Sequence, residues 1–486
     1  MKSCVVIGAG IAGIAAAIRL AARGYPVDVY EANDYPGGKL RESRMNGYRF
    51  DMGPSVFTLP ELVDELFTLC GKDPRDYFTY SRLETNFKYF FEGGTCINAY
   101  ADVDRFATEI TARSNEPPEH FRRYLKDIEA KFNITNEVFI ENSLHVFKNY
   151  LTRSALYGLL HFNRIDAFSS MYHTNRKFFR DPRLVQLFDH YASYVGSNPL
   201  VAPATLNLIS HLVITKGAYV PDQGMYGMVK AMVKLAEEMH VKFHYNTLVQ
   251  EILVKDGRVA GVRLPQGERH SDIVVSNMDI YFTYHRLLPG LRKPRMILNQ
   301  AKSSSILGFY WGVKGSFPEL GVHNMLFSGD EQKEYTAVFD QHIISDDPSV
   351  YICVTAKHIP GDAPPGCENW FIIVTAPSND GQNWNALVER ARRSVIRKVQ
   401  RMLGIDVAPL IACEQILTPP EIEQRYRSAF GAVYGNSSNS KFAAFLRHPN
   451  FSRKVKGLYF VGGSVHPGSG IPMCLNSAKI MDKVLR

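Results

Sequence analysis

Two stretches at opposite ends of this chain each carry an apolar strand, a glycine turn and the start of a helix. Cys4-Val5-Val6-Ile7 reads as a buried strand entering Gly8-Ala9-Gly10-Ile11-Ala12-Gly13, with an alanine-rich helix to about Arg23. Gly8 permits the tight turn, Gly10 lets backbone approach a phosphate, and Gly13 lets the helix pack close to the strand. The helix aims its unpaired N–H groups and positive dipole end at that point, which favours a dinucleotide pyrophosphate. Gly24 is placed to cap the helix C-terminus. Val27 to Glu31 reads as the next parallel strand. Glu31 lies 18 residues past Gly13, near the roughly 20 expected of the acid that takes ribose hydroxyls. A carboxylate there repels a ribose phosphate and disfavours NADP.

The residues after Glu31 point from NAD toward a flavin. An NAD domain proceeds into its next helix, whereas this chain continues with Pro36-Gly37-Gly38-Lys39 and then Asp51-Met52-Gly53-Pro54-Ser55. The second glycine pair lets backbone pass close to more phosphate and the ribityl chain, with Lys39 available to phosphate or flavin. Gly53-Pro54 makes a stiff turn that can lie against a ring. At the other end, Leu458 to Gly463 is an apolar strand with a glycine pair, followed by Pro467-Gly468-Ser469-Gly470-Ile471-Pro472. Pro472 suits a first helical position, and Met473 to Leu485 continues as an amphipathic helix. Its N-terminus would face the pyrimidine side of an isoalloxazine, where negative charge collects on reduction, and the Met473 N–H is the candidate donor to the ring carbonyl.

These stretches resemble the bacterial phytoene desaturase and carotenoid desaturase family, within the larger flavin amine oxidase-like group. Four pieces carry the likeness: Gly8 to Gly13 with Glu31; Pro36 to Lys39 with Asp51 to Pro54; Pro221 to Met228; and His466 to Ser477. The resemblance implies FAD as cofactor, an α/β fold with a Rossmann-like FAD-binding domain of the p-hydroxybenzoate hydroxylase or amine oxidase type, a mixed α+β substrate-binding domain, and a helical insertion facing a membrane. It places Ala9, Ile11, Ala12, Ser55, Gly463, Gly470 and Ile471 at the cofactor, with Val249 holding the adenine through its backbone. The implied reaction introduces C=C bonds into a carotenoid by hydride transfer to flavin N5, followed by proton loss from the neighbouring carbon. Some relatives carry an aspartate–arginine pair in the insertion. Lys148 to Arg153, the matching stretch, has no acid, so the catalytic proton acceptor is unassigned. Val433 to Asn439 and Phe442 to Asn450 look closer to desaturases acting at the 3,4 position of an end group than to phytoene desaturases. Phytoene desaturases, carotenoid isomerases and oxygenases share the scaffold, and an amine oxidase is a more remote alternative.

The rest of the chain bounds the reading. Its 486 residues exceed one ordinary core, and 45% hydrophobic with 21% charged residues is a globular composition. The net charge of +8 is scattered and comes with no nucleic-acid recognition motif; it suits an anionic membrane surface better. Seven cysteines without C-x-x-C spacing argue for reduced thiols and a cytoplasmic setting. No apolar run reaches the ~18 residues of a membrane span. His240 and His244 are four apart, but their strand-like context argues against a metal, and none is expected.

The FAD-binding domain is expected from three pieces, 1–75, 216–279 and 455–486. A mainly helical insertion at 76–215 and a substrate-binding domain at 280–454 separate them. The piece from 216 holds a helix at Met225 to Met239, a strand-like run from Val241 to Leu253, and a hairpin at Asp256-Gly257. Segment 143–183 has seven basic and two acidic residues among aromatics such as Phe147, Tyr150, Tyr157, Phe162 and Phe168. That pattern fits a helix in a membrane interface or a lid over a tunnel. Peripheral association with the inner face of the cell membrane is therefore expected, with quinone or oxygen as electron acceptor. Tyr191, Tyr194, Phe309 and Tyr310 are possible tunnel walls, though core is the commoner role for such residues.

Overall fold

Five short apolar strands from three separated parts of the chain lie side by side in a computed structural model, which describes residues 2–153, 157–158, 161, 165–440, 442–443 and 446–485. Their order is Leu458–Phe460, Ile273–Ser276, Cys4–Ile7, Val27–Tyr30 and Lys242–His244, all parallel. The strand Cys4–Ile7 is buried on both faces, as a parallel strand requires. Cys4 and Val6 face helices Ile11–Ala22, Met225–Glu238 and Ile471–Val484. Val5 and Ile7 face a three-stranded antiparallel sheet, Glu251–Lys255, Arg258–Leu264 and Gly267–His270. Gly24, with φ +82, follows the first helix as expected. At the hairpin, Asp256 and Gly257 both take positive φ (49° and 70°), the form a two-residue turn needs.

The strand-like run from Val241 to Leu253 holds two separate strands. Lys242–His244 joins the parallel sheet and Glu251–Lys255 the antiparallel one, with Asn246 at φ +52 between them. His244 stacks on Tyr30 and shares a 2.8 Å hydrogen bond with Asp28.

A second sheet has seven strands in the order Ile411–Leu417, Ser305–Lys314, Cys367–Ala376, Val350–Cys353, His323–Leu326, Thr85–Phe90 and Cys96–Tyr100. Helix Trp384–Leu403 covers one face through Leu387, Ala391, Val395 and Val399, packing over Trp311 and Trp370. The other face, with Phe87, Met325, Tyr351 and Phe371, turns toward the helices of residues 103–216. The stretch 76–215 is thus not helical from its start. Its strands Thr85–Phe90 and Cys96–Tyr100 form the edge hairpin of this sheet, pairing in parallel with His323–Leu326. Of the basic and aromatic segment, Leu159, Leu160, Phe162 and Arg164 lie outside the described residues.

Candidate functional site

At the carboxyl edge of the parallel sheet, the chain leaving each of four strands opens onto one cavity of about 660 Å³. Gly8, Glu31, Asn277 and Gly462 line it there, the position where open α/β sheets hold ligands. Of the residues picked out in the sequence, Gly8, Gly10, Ile11, Ala12, Glu31, Gly37, Gly38, Lys39, Gly53, Pro54, Ser55, Val249, Gly463, Gly470, Ile471, Pro472 and Met473 all line this cavity. Ala9 and Gly13 support it from behind. Ala9 donates its N–H to Glu31 Oε2 (2.8 Å). A Cβ on Gly13 would stand 2.1 Å from the Gly8 carbonyl, so any side chain there pushes helix from strand.

The two glycine turns lie backbone to backbone. Gly37 donates to the Ala9 carbonyl (2.7 Å), and a Cβ on Gly38 would be 3.2 Å from Gly10 Cα. Glu31 is 6% exposed and accepts from both the N–H and the side-chain amide of Asn33 (2.9 Å each), besides Ala9. It therefore fastens the glycine turn while its remaining lone pairs face the cavity. Lys39 donates to the Val433 carbonyl (2.8 Å), and burial pushes its ammonium pKa down.

Asp51 accepts from the N–H groups of Met225 (2.8 Å) and Tyr226 (2.9 Å) and pairs with Arg49 (2.7 Å). It thereby caps a helix that begins about 170 residues later in the chain. Gly224 is required beside it, because a Cβ would stand 2.3 Å from Arg49 Nη2. Two of the sequence stretches singled out above thus meet in one buried network. At the C-terminal end, Asn450 donates to Ser477 Oγ (2.9 Å) and the His466 carbonyl (2.8 Å), while Gly462 N–H donates to the same Ser477 oxygen (3.1 Å). Gly470 caps the last helix with no side-chain partner, so helix geometry leaves the Ile471 and Met473 amides unpaired at the cavity wall.

Sequence reasoning missed Asn277, whose side chain lies within 3.3 Å of where a Cβ on Gly10 would be and whose Oδ1 is buried without a partner. Its signal was the end of the apolar run Ile273 to Ser276. It also missed a hydrogen-bonded line: Ser55 shares a bond with Tyr351 OH (2.8 Å), which shares another with His323 Nδ1 (2.8 Å). Burial pushes the His323 pKa down to about 3. Beyond these groups the cavity is walled by apolar side chains including Leu206, Ile209, Leu212, Val213, Met325 and Phe327. Tyr194 lines it, whereas Tyr191, Phe309 and Tyr310 are buried in the core. Lys148 to Arg153 falls on an exposed turn away from the cavity lining.

The glycine cradle, the backbone donors and the orphaned Asn277 amide fit a dinucleotide joined to a flat ring. Fold and site together define an FAD-dependent oxidoreductase. Residues 11–480 match the model of the family described as flavin containing amine oxidoreductase, and the chain belongs to that family. It is 44% identical to a 1-hydroxycarotenoid 3,4-desaturase of Flavobacterium sp. (strain P99-3) over 99% of this chain and 98% of the relative. It is 35% identical to a 4,4'-diapolycopene oxygenase of Methylomonas sp over 99% and 97%. Among solved structures, an oxidoreductase from Methanosarcina mazei superposes with a TM-score of 0.63 at 16% identity, covering 98% of each chain. A redesigned putrescine oxidase superposes with a TM-score of 0.65 at 13% identity, covering 100% of this chain and 98% of its own. These last two likenesses speak to the fold alone.

Proposed function

We propose that this protein is an FAD-dependent carotenoid desaturase acting at the 3,4 position of an end group. The observation that carries the reading is a single cavity that runs from the paired glycine turns into an apolar chamber. The likeness to the 1-hydroxycarotenoid 3,4-desaturase along nearly the whole chain supports it. Bound FAD supplies a two-electron acceptor. The chain's own part is to bind, orient and keep water out. Apolar walls hold a polyene by burial and exclude solvent. The Met473 amide and the positive end of its helix would favour negative charge on the bound ring.

Ser55, Tyr351 and His323 give the departing proton a path. Ser55 and Tyr351 line the cavity, and His323 stacks on Phe87 with ring centroids 5.0 Å apart. A neutral imidazole with so low a pKa cannot pull a proton from an unactivated C–H bond. It serves once loss of hydride has made the neighbouring carbon strongly acidic. This role for His323 goes with hydride loss first and proton loss second.

The protein docks on the inner face of the cell membrane in this reading. Phe147 (76% exposed), Leu151 (73%) and Phe168 (72%) stand in solvent, close in sequence to Leu144, Ile165 and Ala167 of the cavity wall. An apolar substrate would enter from that side, and quinone or oxygen would reoxidise the cofactor. Among the described residues no helix is long and apolar enough to cross a membrane.

Co-expression with enzymes that make hydroxylated, monocyclic or fully acyclic carotenoids tests the proposal through the absorption maximum of the extracted pigment. A red shift with one of them is expected. Oxygenated pigment of unchanged conjugation would favour the oxygenase reading, and amine turnover without any shift would reject desaturation.

A further inference from the structure

Five lysine and arginine side chains are buried among the described residues: Arg19, Arg49, Lys131, Lys398 and Arg447. Four of them meet carboxylates: Arg19 at Glu65 (2.9 Å), Arg49 at Asp51 (2.7 Å), Lys131 at Asp166 (2.6 Å) and Lys398 at Asp347 (2.9 Å). Arg447 pairs with no carboxylate among the described residues. It is 6% exposed and lines the cavity, where Nη2 donates to Ser438 Oγ (3.0 Å) and Nη1 is buried without a partner. A buried cation is costly unless an anion faces it, so a cavity-wall guanidinium with no acid beside it calls for negative charge on a ligand. We infer that Arg447 is a fixed positive charge that raises the reduction potential of the bound flavin, by countering the negative charge the ring takes up. Only the FAD-dependent class is needed for this, whichever substrate the cavity accepts.

Position decides which part of the cofactor the guanidinium serves. A Cβ on Gly468 would stand 3.2 Å from Arg447 Cζ, 3.3 Å from Nε and 3.5 Å from Nη2, so the group presses on that glycine. Gly468 leads through Ser469 and Gly470 into the last helix, whose first amides are free at the cavity wall. The phosphate turn lies several contacts away. A Cβ on Gly10 would stand 3.2 Å from Asn277 Nδ2, one on Gly462 3.4 Å from the same atom, and one on Gly463 3.2 Å from Ser469 Cβ. Asn277 and the loop from Gly462 to Ser469 thus separate Arg447 from the glycine cradle. That leaves the ring end of the cofactor, and not its pyrophosphate, as the neighbour.

The groups around Arg447 leave its charge standing. Ser438 is neutral. His466 is near enough to feel the guanidinium, but its Nε2 lies 2.8 Å from the Asn142 carbonyl, which can only accept, so the ring proton sits on Nε2. Burial pushes the His466 pKa down to about 4, and that ring is neutral too. Burial also lowers the Arg447 pKa to about 10, which keeps the guanidinium charged at neutral pH. An oxidised isoalloxazine is neutral and a reduced one carries negative charge above neutral pH, so an unscreened cation beside it favours reduction.

The test is the midpoint potential of the bound flavin, read from dye-equilibrated absorption spectra of the holoenzyme at about pH 8 with no carotenoid present. A unit charge about 10 Å away, at an effective dielectric of about 20, shifts such an equilibrium by about tenfold. Arg447→Met, which keeps the length and removes the charge, should therefore make reduction about tenfold less favourable, a potential lower by about 30 mV. Arg447→Lys keeps the charge and should stay within about twofold of the unsubstituted equilibrium. A residue that only packs would leave the potential where it is, or move it alike in both variants, and either result overturns the inference. The ratio of flavin to protein absorbance is read on the same samples. Loss of oxidised FAD from either variant would give Arg447 a part in binding the cofactor instead, and overturns it as well. Unsubstituted protein that takes up no flavin would sink the FAD-dependent class itself, a result the variants do not touch.

Discussion

Glu31 holds the first glycine turn and the following loop together through Ala9 and Asn33 while facing the cavity. Replacing it with alanine removes charge-assisted hydrogen bonds of about 1.5–3 kcal/mol, so FAD affinity should fall by about ten- to a hundredfold. Gly10→Val, whose Cβ would press 3.2 Å from the Asn277 amide, should do the same. The ratio of flavin to protein absorbance after gel filtration measures both, and full colour in both variants would refute this placement of the cofactor. Tyr351→Phe cuts the path from Ser55 to His323 and should lower kcat by about a hundredfold with little change in KM; an unchanged kcat would remove that path from the mechanism. Glu331 gives a pH signature. Its folded pKa of about 8 lies above the ordinary carboxylate value, so its contribution to stability is complete at low pH. That contribution is lost as pH rises toward 8, at up to about 1.4 kcal/mol per pH unit, shared with Asp189. Thermal melts from pH 5 to 8 should show a gentler decline for Glu331→Gln than for the unsubstituted protein. The glycines and Glu31 were legible because their residue types and spacing form a recognisable pattern within one short stretch of chain. Asn277 and Tyr351 were not, because each acquires its role from a neighbour far along the chain.

Asp51 shows the same division among elements. The helix at Met225 was legible from its apolar spacing, but its cap was not, since the capping carboxylate arrives from another element together with Arg49 and Asp362. Asp51→Ala would leave the buried Arg49 guanidinium without one of its three carboxylate partners (2.7 Å) and the helix without its cap. Breaking a buried pair by removing one partner costs about 3–5 kcal/mol. The urea midpoint should fall accordingly, and a shift under about 1 kcal/mol would show that Asp362 and Glu42 compensate. The hairpin at 85–100 was hidden for a related reason. Thr85-Asn86-Phe87-Lys88-Tyr89-Phe90 and the Gly93-Gly94 turn carry a strand signal, but the strand they pair with lies more than 200 residues away. Without that partner the aromatic and basic residues of the stretch read as helix.

For the whole molecule, the proposed docking on an anionic membrane makes Lys148, Arg153 and the exposed Phe147, Leu151 and Phe168 its contact surface. Charge reversal at Lys148 and Arg153 should weaken co-sedimentation with phosphatidylserine-containing vesicles by about thirtyfold or more, at ~1 kcal/mol for each of the two basic residues near the surface. Unchanged pelleting would reject this surface. The Rossmann-like part beside a mixed α+β part was legible in outline from the glycine turns and apolar runs. The depth of the cavity was not, since it depends on how one sheet faces the other.

The first and last helices pack together, joined by Arg23–Asp482 (2.5 Å) and by Glu65, which reaches both Arg19 (2.9 Å) and Lys479 (2.7 Å). During translation the amino-terminal strand and its glycine turn leave the ribosome hundreds of residues before the strand and helix that complete the same pocket. The nascent polypeptide must therefore wait, its opening helix lacking the Leu475, Ala478 and Met481 cover, until the last segment emerges. Loading with flavin then waits for residues 458–484, and a ribosome stalled short of residue 458 would carry an apoprotein that stays colourless at any flavin concentration.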